Sequence, residues 1–301
     1  MKNQANIKKR KMDRKLIFYI GFMVFPLAQF LIFYIGVNFQ SILMTFQEYD
    51  TFKTEYNFRK ADAFLHFKEI WWNRDSLWIM LKNSLIVWGY TSLAGTVLAV
   101  LFSYYIYKRS REGKFFKFML FIPSILPAIL LSSVFQNFSN TLIPAWMDGK
   151  KLLHIVDSPL KTQFNTAIFY TVWAGFGSQI LLYTGAMEQI SPSVIEAGQL
   201  DGAKPLREFW SIVLPSIMST VGTFLVAGVA TVFTQQASLF NFFSEKADVS
   251  VQTLGYHMFS RAQSRGAESE FPYLSALGLV CTLLAIVPTL LLRKYFARYE
   301  D

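Results

Sequence analysis

Residues 196–217, EAGQLDGAKPLREFWSIVLPSI, place charged and turn-forming residues between two strongly apolar stretches. A carboxylate such as that of Glu196 accepts hydrogen bonds, either from backbone donors at a helix end or from a donor on another protein. Gly202, six positions later, can adopt backbone conformations that other residues avoid. The spacing therefore indicates binding chemistry built on a short, shaped element rather than covalent catalysis.

The ends of a short helix are encoded in this segment. Ser193 followed by Glu196 fits a capping box, and Pro192 is placed where a first-turn proline is tolerated. Gly202 is a typical C-terminal cap. We therefore predict a helix over 193–203, about two turns or roughly 12 Å long. It is either an ordinary capped connection or a rigid projection that fits a groove on a partner, whose docking would stabilise so short a helix.

Two sets of small and polar residues lie within the apolar stretches that flank this segment. At helical spacing they would share one side of a helix, and polar groups inside a membrane are expected to face the interior of the bundle. They serve either ordinary hydrogen bonding between helices or a polar route. The first set is Gly175, Ser178, Gln179 and Tyr183, and the second is Thr231 and Gln235 with Gln236 beside them.

The composition is that of an integral membrane protein. Hydrophobic residues make up 53% of the 301 positions and charged residues only 16%, where a soluble domain carries about a quarter. Apolar runs of about 20 residues match the thickness of a bilayer, and helices satisfy every backbone group there. The predicted spans are 16–37, 77–107, 115–137, 164–187, 211–235 and 271–292. We expect Pro215 to bend the fifth where it enters the membrane.

The distribution of basic residues sets the expected orientation. There are 17 Lys and Arg among the 57 residues of segments 1–15, 108–117, 188–210 and 293–301. There are only 11 among the 100 residues of segments 38–76, 138–163 and 236–270, which would lie on the other side of the membrane. We therefore expect both termini in the cytoplasm, a basic N-terminus at 1–15, a retained first helix at 16–37, an outer loop at 38–76, a five-helix core over 77–292 and a short tail at 293–301. The net charge of +9 then reflects topology and contact with membrane lipid, not nucleic acid.

The segment containing Glu196 carries the resemblance. EAG at 196–198, Gly202, nine further residues and IVLP at 212–215 match the spacing of the signature found in permease subunits of binding-protein-dependent ABC importers. That pattern reads EAA, three residues, G, nine residues, I-x-L-P, and Gly198 is the one departure. EQISPSVIEAGQLDGA resembles the form found in the maltose and multiple-sugar permeases, and the resemblance covers roughly residues 80–295.

The resemblance implies an all-α integral membrane protein with six transmembrane helices, the type I ABC importer permease (MetI-like) fold. The helix over 193–203 would be a coupling helix that docks on an ATP-hydrolysing subunit. Its coupling residues would be Glu196, Ala197, Gly198, Leu200, Asp201, Gly202 and Ala203. Sugar contacts would fall in the two polar sets, at positions that match Gly175, Ser178, Thr231 and Gln235 best.

The resemblance also implies the partners: a second homologous permease, two ATP-hydrolysing subunits that bind ATP and Mg²⁺, and an external solute-binding protein, in the plasma membrane of a prokaryote. The chain itself would catalyse nothing and hold no cofactor, because the sequence contains no G-x-x-x-x-G-K-[ST] loop. The glycines of WAGFGSQ are expected to serve helix packing. His66, His154 and His257 show no metal-ligand spacing.

The cargo and the class of protein have alternatives. The DGA continuation favours a carbohydrate, with an oligosaccharide expected; the same fold could import phosphate, amino acids, peptides or a metal chelate. An integral membrane transferase would need clustered His or Asp at one face of the membrane, which the sequence lacks. Trp71, Trp72, Trp78 and Trp88 are expected to anchor helices at the membrane interface.

Overall fold

The computed structural model describes residues 14–59, 62–108, 112–146 and 149–299, which form a bundle of long helices. Three of these are long and apolar enough to cross a membrane: Phe18–Met44, Arg74–Lys108 and Phe271–Tyr299. Two bent pairs raise this number to five within the described part of the chain. The predicted fourth span corresponds to Leu160–Glu188, which does not meet the same apolar criterion because Gln, Asn, Ser and Thr recur along it.

The secondary structure runs from one long helix to the next with short elements between them. Helices and strands are Arg14–Gln29, Val37–Met44, Gln47–Asp50 (strand), Glu55–Phe58 (strand), Leu65–Trp72, Arg74–Trp88, Gly95–Lys108, Glu112–Ile125, Ala128–Asn137, Ile143–Trp146, Leu160–Glu188, Pro192–Leu200, Pro205–Glu208, Leu214–Ser216, Met218–Ala230, Leu239–Phe243, Leu254–Gln263 and Phe271–Phe296. Wider π-helical turns join several of these at Phe30–Gly36, Gly89–Ala94, Phe138–Leu142 and Phe209–Val213.

Helix Leu160–Glu188 is packed against two other long helices. Ser103 Oγ of the second long helix donates a 3.1 Å hydrogen bond to the carbonyl oxygen of Ile180. On the same helix the backbone of Gly177 lies directly against Leu120 of the third. The expectation that the glycines of WAGFGSQ serve helix packing is thus confirmed at Gly177. A glycine at such a contact lets two backbones approach where a side chain would hold them apart.

Both bends follow prolines. The third predicted span, 115–137, is not one helix: Phe115–Ile125 and Ala128–Trp146 meet at 97°, with Pro127 at the break. Proline lacks the backbone donor that would continue the helix, and it disfavours helical geometry in the preceding residue. The predicted bend in the fifth span is confirmed, because Pro205–Ser216 and Met218–Ala230 meet at 64° just after Pro215.

The predicted outer loop 38–76 contains regular structure. The first helix continues to Met44, and an antiparallel hairpin of Gln47–Asp50 and Glu55–Phe58 follows, so the prediction of an irregular loop was wrong here. Tyr49 pairs with Tyr56 across the hairpin, with ring centroids 5.1 Å apart. Aromatic pairs of this kind stabilise neighbouring strands.

The fifth span ends earlier than predicted. Helix Met218–Ala230 is followed by turns, so Gln235 and Gln236 do not lie on a helix, and the predicted end at 235 was wrong. The side chain of Thr253 donates a 2.9 Å hydrogen bond to the carbonyl oxygen of Gln235. A methyl group on Gly255 would collide with the backbone of Thr234, so tertiary contacts hold this segment in a non-helical path.

Candidate functional site

The short helix predicted over 193–203 spans Pro192–Leu200. Its N-cap is Ser191, whose backbone is extended, so the predicted capping box of Ser193 and Glu196 was wrong. Pro192 occupies the first helical position, which its fixed φ favours. The helix therefore begins one residue before Ser193. The hydroxyl oxygens of Ser191 and Ser193 lie 2.8 Å apart instead.

The predicted helix end is confirmed at Gly202. Its φ of +80° is in the left-handed region. The backbone N–H of Ala203 donates to the carbonyl of Gly198, and that of Gly202 to the carbonyl of Gln199, both at 3.0 Å. This is the Schellman arrangement, which satisfies the last carbonyls of a helix and turns the chain sharply. Pro205 then begins the next helix, as predicted.

The exposed side of this short helix carries most of the predicted coupling residues. Ile195 packs into a buried cluster, and Gly198 lies against the end of the Ile212 side chain. Gly198 and Ala203 are half-buried. The remaining five predicted residues are exposed: Glu196, Ala197, Leu200, Asp201 and Gly202. Among the described residues, no hydrogen bond or ion pair engages the Glu196 carboxylate.

Three large apolar side chains in this short helix and in the segment that follows it are exposed. Leu200 is 90% exposed, Leu206 76% and Trp210 63%. Large exposed apolar residues that lie close together are typical of a surface that binds another protein or a membrane. Analysis of the sequence had not assigned Leu206 or Trp210 to this surface; the signal was an apolar residue next to each charged one in KPLREFW.

A cavity of about 250 Å³ lies between the second, fourth and fifth long helices. Of the polar residues predicted from sequence, Gln179, Thr231 and Gln235 line it. The second helix contributes side chains that the sequence analysis had not assigned to a site. These are Trp88, Thr91, Ser92 and Thr96, with Phe224, Ala227, Gly228 and Val232 completing the lining.

The other predicted polar residues lie elsewhere. Gly175 and Ser178 are exposed, and the Ser178 hydroxyl donates a 2.8 Å hydrogen bond to the Gly175 carbonyl. Tyr183 is completely buried among apolar side chains. Gln236 lines a separate groove of about 930 Å³ beside the first and last helices. Helical spacing alone did not separate the inner from the outer side of the fourth helix.

Two polar atoms in the cavity lack partners. Neither Trp88 Nε1 nor Gln179 Oε1 has a hydrogen-bond partner among the described residues, although both atoms are buried. A buried polar atom without a partner is costly, which favours a ligand or water beside it. The predicted role of Trp88 as an interface anchor was wrong, because its ring lies inside the bundle. A sequence signal existed in the polar YTS and GT of the second apolar run, where Gly89–Ala94 forms a π-helical turn.

The chemistry of the cavity is uncharged. Its lining offers one indole, four hydroxyls and two amides, and none of its residues is acidic or basic. Hydroxyl and amide groups both donate and accept, and an indole presents an apolar face. Such a set suits a neutral polyhydroxy ligand. In the described part of the chain no group of three His, Cys, Asp or Glu residues is arranged to hold a metal ion.

Comparisons with known proteins agree with this geometry. The sequence profile of the family described as binding-protein-dependent transport system inner membrane component matches residues 92–299. The chain is 22% identical to the multiple sugar-binding transport system permease protein MsmF of Streptococcus mutans, over 95% of this chain and 93% of MsmF. It is 24% identical to the diacetylchitobiose uptake system permease protein NgcF of Streptomyces coelicolor, over 93% and 82% of the two chains.

A solved structure shares the fold. A chain in the crystal structure of a bacterial ABC transporter that imports the acidic polysaccharide alginate superposes with a TM-score of 0.77 at 17% identity, covering 95% of this chain and 97% of that one. The helical arrangement is thus that of the ABC permease (MetI-like) fold. With the profile matched across most of its length, the chain belongs to the family of inner membrane components of binding-protein-dependent transport systems.

Proposed function

We propose that this chain is a permease subunit of an ABC importer for carbohydrate. The importer would carry an oligosaccharide across the plasma membrane by ATP-driven alternating access. The observation that carries the proposal is the exposed helix Pro192–Leu200, with the strongly exposed Leu200 and with Glu196, which has no hydrogen-bond or ion-pair partner among the described residues. The cargo is supported by the sugar-transport names of the relatives MsmF and NgcF and by the neutral, hydroxyl- and amide-lined cavity.

The proposed topology has six spans with both termini in the cytoplasm. It is supported by the density of Lys and Arg in the predicted inner segments and by the three continuous and two bent candidate helices. Leu160–Glu188 would be the remaining span. Two of its polar side chains, Gln163 and Thr184, are buried within the described chain, so they would not be exposed to lipid.

ATP binding and hydrolysis by partner subunits at the cytoplasmic surface would drive transport. Two partner subunits bind and hydrolyse ATP with Mg²⁺, and each receives a coupling helix in a groove. The Leu200, Leu206 and Trp210 side chains would supply apolar contact, and Glu196 would accept from a donor on the ATPase. Closure of the two ATPases would shift the permeases between inward- and outward-open states.

The remaining partners follow from exposed surfaces and from the family. No part of the most apolar window of Phe18–Met44 is buried by the rest of the chain, and we assign this surface to lipid and a second homologous permease. An external solute-binding protein would deliver the cargo, as the family description implies.

Uptake into vesicles tests the proposal. The chain is assembled with its second permease, both ATPases and the binding protein, and ATP-dependent uptake is measured for labelled neutral oligosaccharides, acidic oligosaccharides, glycerol phosphate and inorganic phosphate. We expect uptake of one neutral oligosaccharide class. Uptake of phosphate or an acidic cargo alone would reject the carbohydrate assignment, and ATP-independent activity of the chain alone would reject the importer.

A further inference from the structure

We propose that Glu208 is a positioning residue that fixes the helix Pro192–Leu200 to the end of the second long helix. The inference rests on the proposed coupling function of that short helix. Glu208 is 2% exposed and is the only carboxylate that is buried in the described part of the chain. A buried carboxylate persists only where partners compensate its lost hydration.

Glu208 has partners on both elements. Its Oε2 accepts a 3.0 Å hydrogen bond from Gln199 Nε2, on the short helix. Its Oε1 lies 2.5 Å from Lys108 Nζ and 3.3 Å from the hydroxyl of Tyr104, both on the second long helix. One carboxylate therefore bridges two elements that are more than 80 residues apart in sequence.

The surrounding contacts hold this bridge in place. The Tyr104 hydroxyl lies 2.8 Å from the carbonyl oxygen of Pro205, and its ring centroid lies 4.9 Å from that of Phe209. Glu208 is followed directly by the π-helical turn Phe209–Val213. Gly198 of the short helix lies against the Ile212 side chain of this turn. The end of the second helix, the short helix and the start of the fifth helix thus meet around one side chain.

This bridge provides a second path for motion. The chain joins the short helix covalently to the fourth and fifth helices, but not to the second. Through Gln199, Glu208 and Lys108, a displacement of the short helix also moves the second helix, which carries Trp88 and Thr91 to the cavity. Packed elements joined by a charged hydrogen bond move together rather than slide.

The test separates coupling from folding. In the assembled transporter, Gln199→Leu removes the link to the short helix and keeps the Lys108–Glu208 pair, while Glu208→Gln removes the charge. The exchanged pair Gln199→Glu with Glu208→Gln restores an amide–carboxylate hydrogen bond with donor and acceptor reversed. We measure molecules transported per ATP hydrolysed, and the thermal stability of each assembly.

We expect each single variant to lower the number of molecules transported per ATP hydrolysed by about threefold or more. The exchanged pair should restore this number to at least half of the wild-type value. A ratio equal to wild type in Gln199→Leu, or an exchanged pair no better than the single variants, would overturn the proposal. A purely structural role would lower thermal stability and leave the ratio of the assembled fraction unchanged.

A second readout does not depend on the cargo. Spin labels at Val194 on the short helix and Tyr105 on the second, both about half exposed, report their separation with and without ATP after Cys281→Ser. We expect one narrow distance in wild type and a broadened one in Gln199→Leu; identical distributions would contradict the bridge. If no saccharide is transported by wild type, the proposed function fails while this measurement still decides the inference.

Discussion

The backbone of Gly177 lies directly against the carbonyl group of Leu120. An added Cβ at Gly177 would collide with that oxygen and lie 3.3 Å from the Cα of Phe121, so no side chain fits between the two helices. The obstacle is backbone, which cannot rotate away as a side chain can. The contact fixes the distance between the third and fourth long helices.

Gly177→Ala is therefore expected to destabilise the protein by about 1–3 kcal/mol, the usual cost of overpacking a core. Gly185→Ala on the same helix is the matched control, because nothing lies within 4 Å of its added methyl group. Removing a helical glycine there should be neutral or stabilising by up to about 1 kcal/mol. Thermal unfolding in detergent measures both, and equal midpoints would contradict the close approach.

The turn after the short helix gives a second prediction. Gly202 has a φ of +80°, so Gly202→Ala should cost about 1–2 kcal/mol in local stability. Asparagine tolerates this conformation better than alanine, so Gly202→Asn should retain more uptake. We measure uptake at matched expression for both variants. Equal loss in Ala and Asn variants would show that the left-handed backbone is not what Gly202 provides.

The cavity predicts a contrast between two neighbouring polar residues. Gln179 lines the cavity, and its Oε1 has no hydrogen-bond partner in the part of the chain that the structure describes, whereas Ser178 is exposed on another side of the same helix. Gln179→Leu should raise the cargo concentration needed for half-maximal uptake about tenfold, the effect of losing about 1.4 kcal/mol. Ser178→Ala should change it less than twofold. The reverse order would place the cargo on the exposed side of the fourth helix.

Topology is tested with two cysteines. Phe52 at the hairpin and Leu200 on the short helix are the probes, at 101% and 90% exposure. In intact cells that produce the two permeases without the ATPase subunits, a membrane-impermeant maleimide should label Phe52→Cys at once and Leu200→Cys only after permeabilisation. The buried native Cys281 should give little background. Labelling of Leu200→Cys from outside would invert the proposed orientation.

Much of the fold was predictable because spanning helices need long apolar runs. The start of the second helix, the bend after Pro215 and the start of the sixth helix follow directly from such runs and from proline. The single helix predicted over 115–137 was wrong because Pro127 breaks the helix, and an apolar run shows the length of a span but not a bend within it. The hairpin over 47–58 was not predicted because its two strands have only four residues each, too few to show a clear alternation of apolar and polar residues.

The candidate site was less predictable than the fold. Gly202 was correctly predicted as a helix end because a left-handed residue at that position is usually glycine. The capping box at Ser193 was wrong because Pro192 occupies the first helical position, which makes Ser191 the N-cap residue and places Ser193 inside the helix. The predicted interface role of Trp88 was wrong because Trp88 lies well inside the span Arg74–Lys108, whereas interface tryptophans lie near the ends of spans.

The claim that helix Pro192–Leu200 transmits ATPase motion is tested most directly by Glu196→Lys. We measure cargo transported per ATP hydrolysed in the complete transporter. The control is Glu188→Lys, because Glu188 is an exposed carboxylate before the short helix with only a loose 3.9 Å contact to Lys117. The account predicts that Glu196→Lys assembles normally yet loses at least about tenfold in this ratio, whereas Glu188→Lys stays near wild type. A wild-type ratio in Glu196→Lys would contradict it.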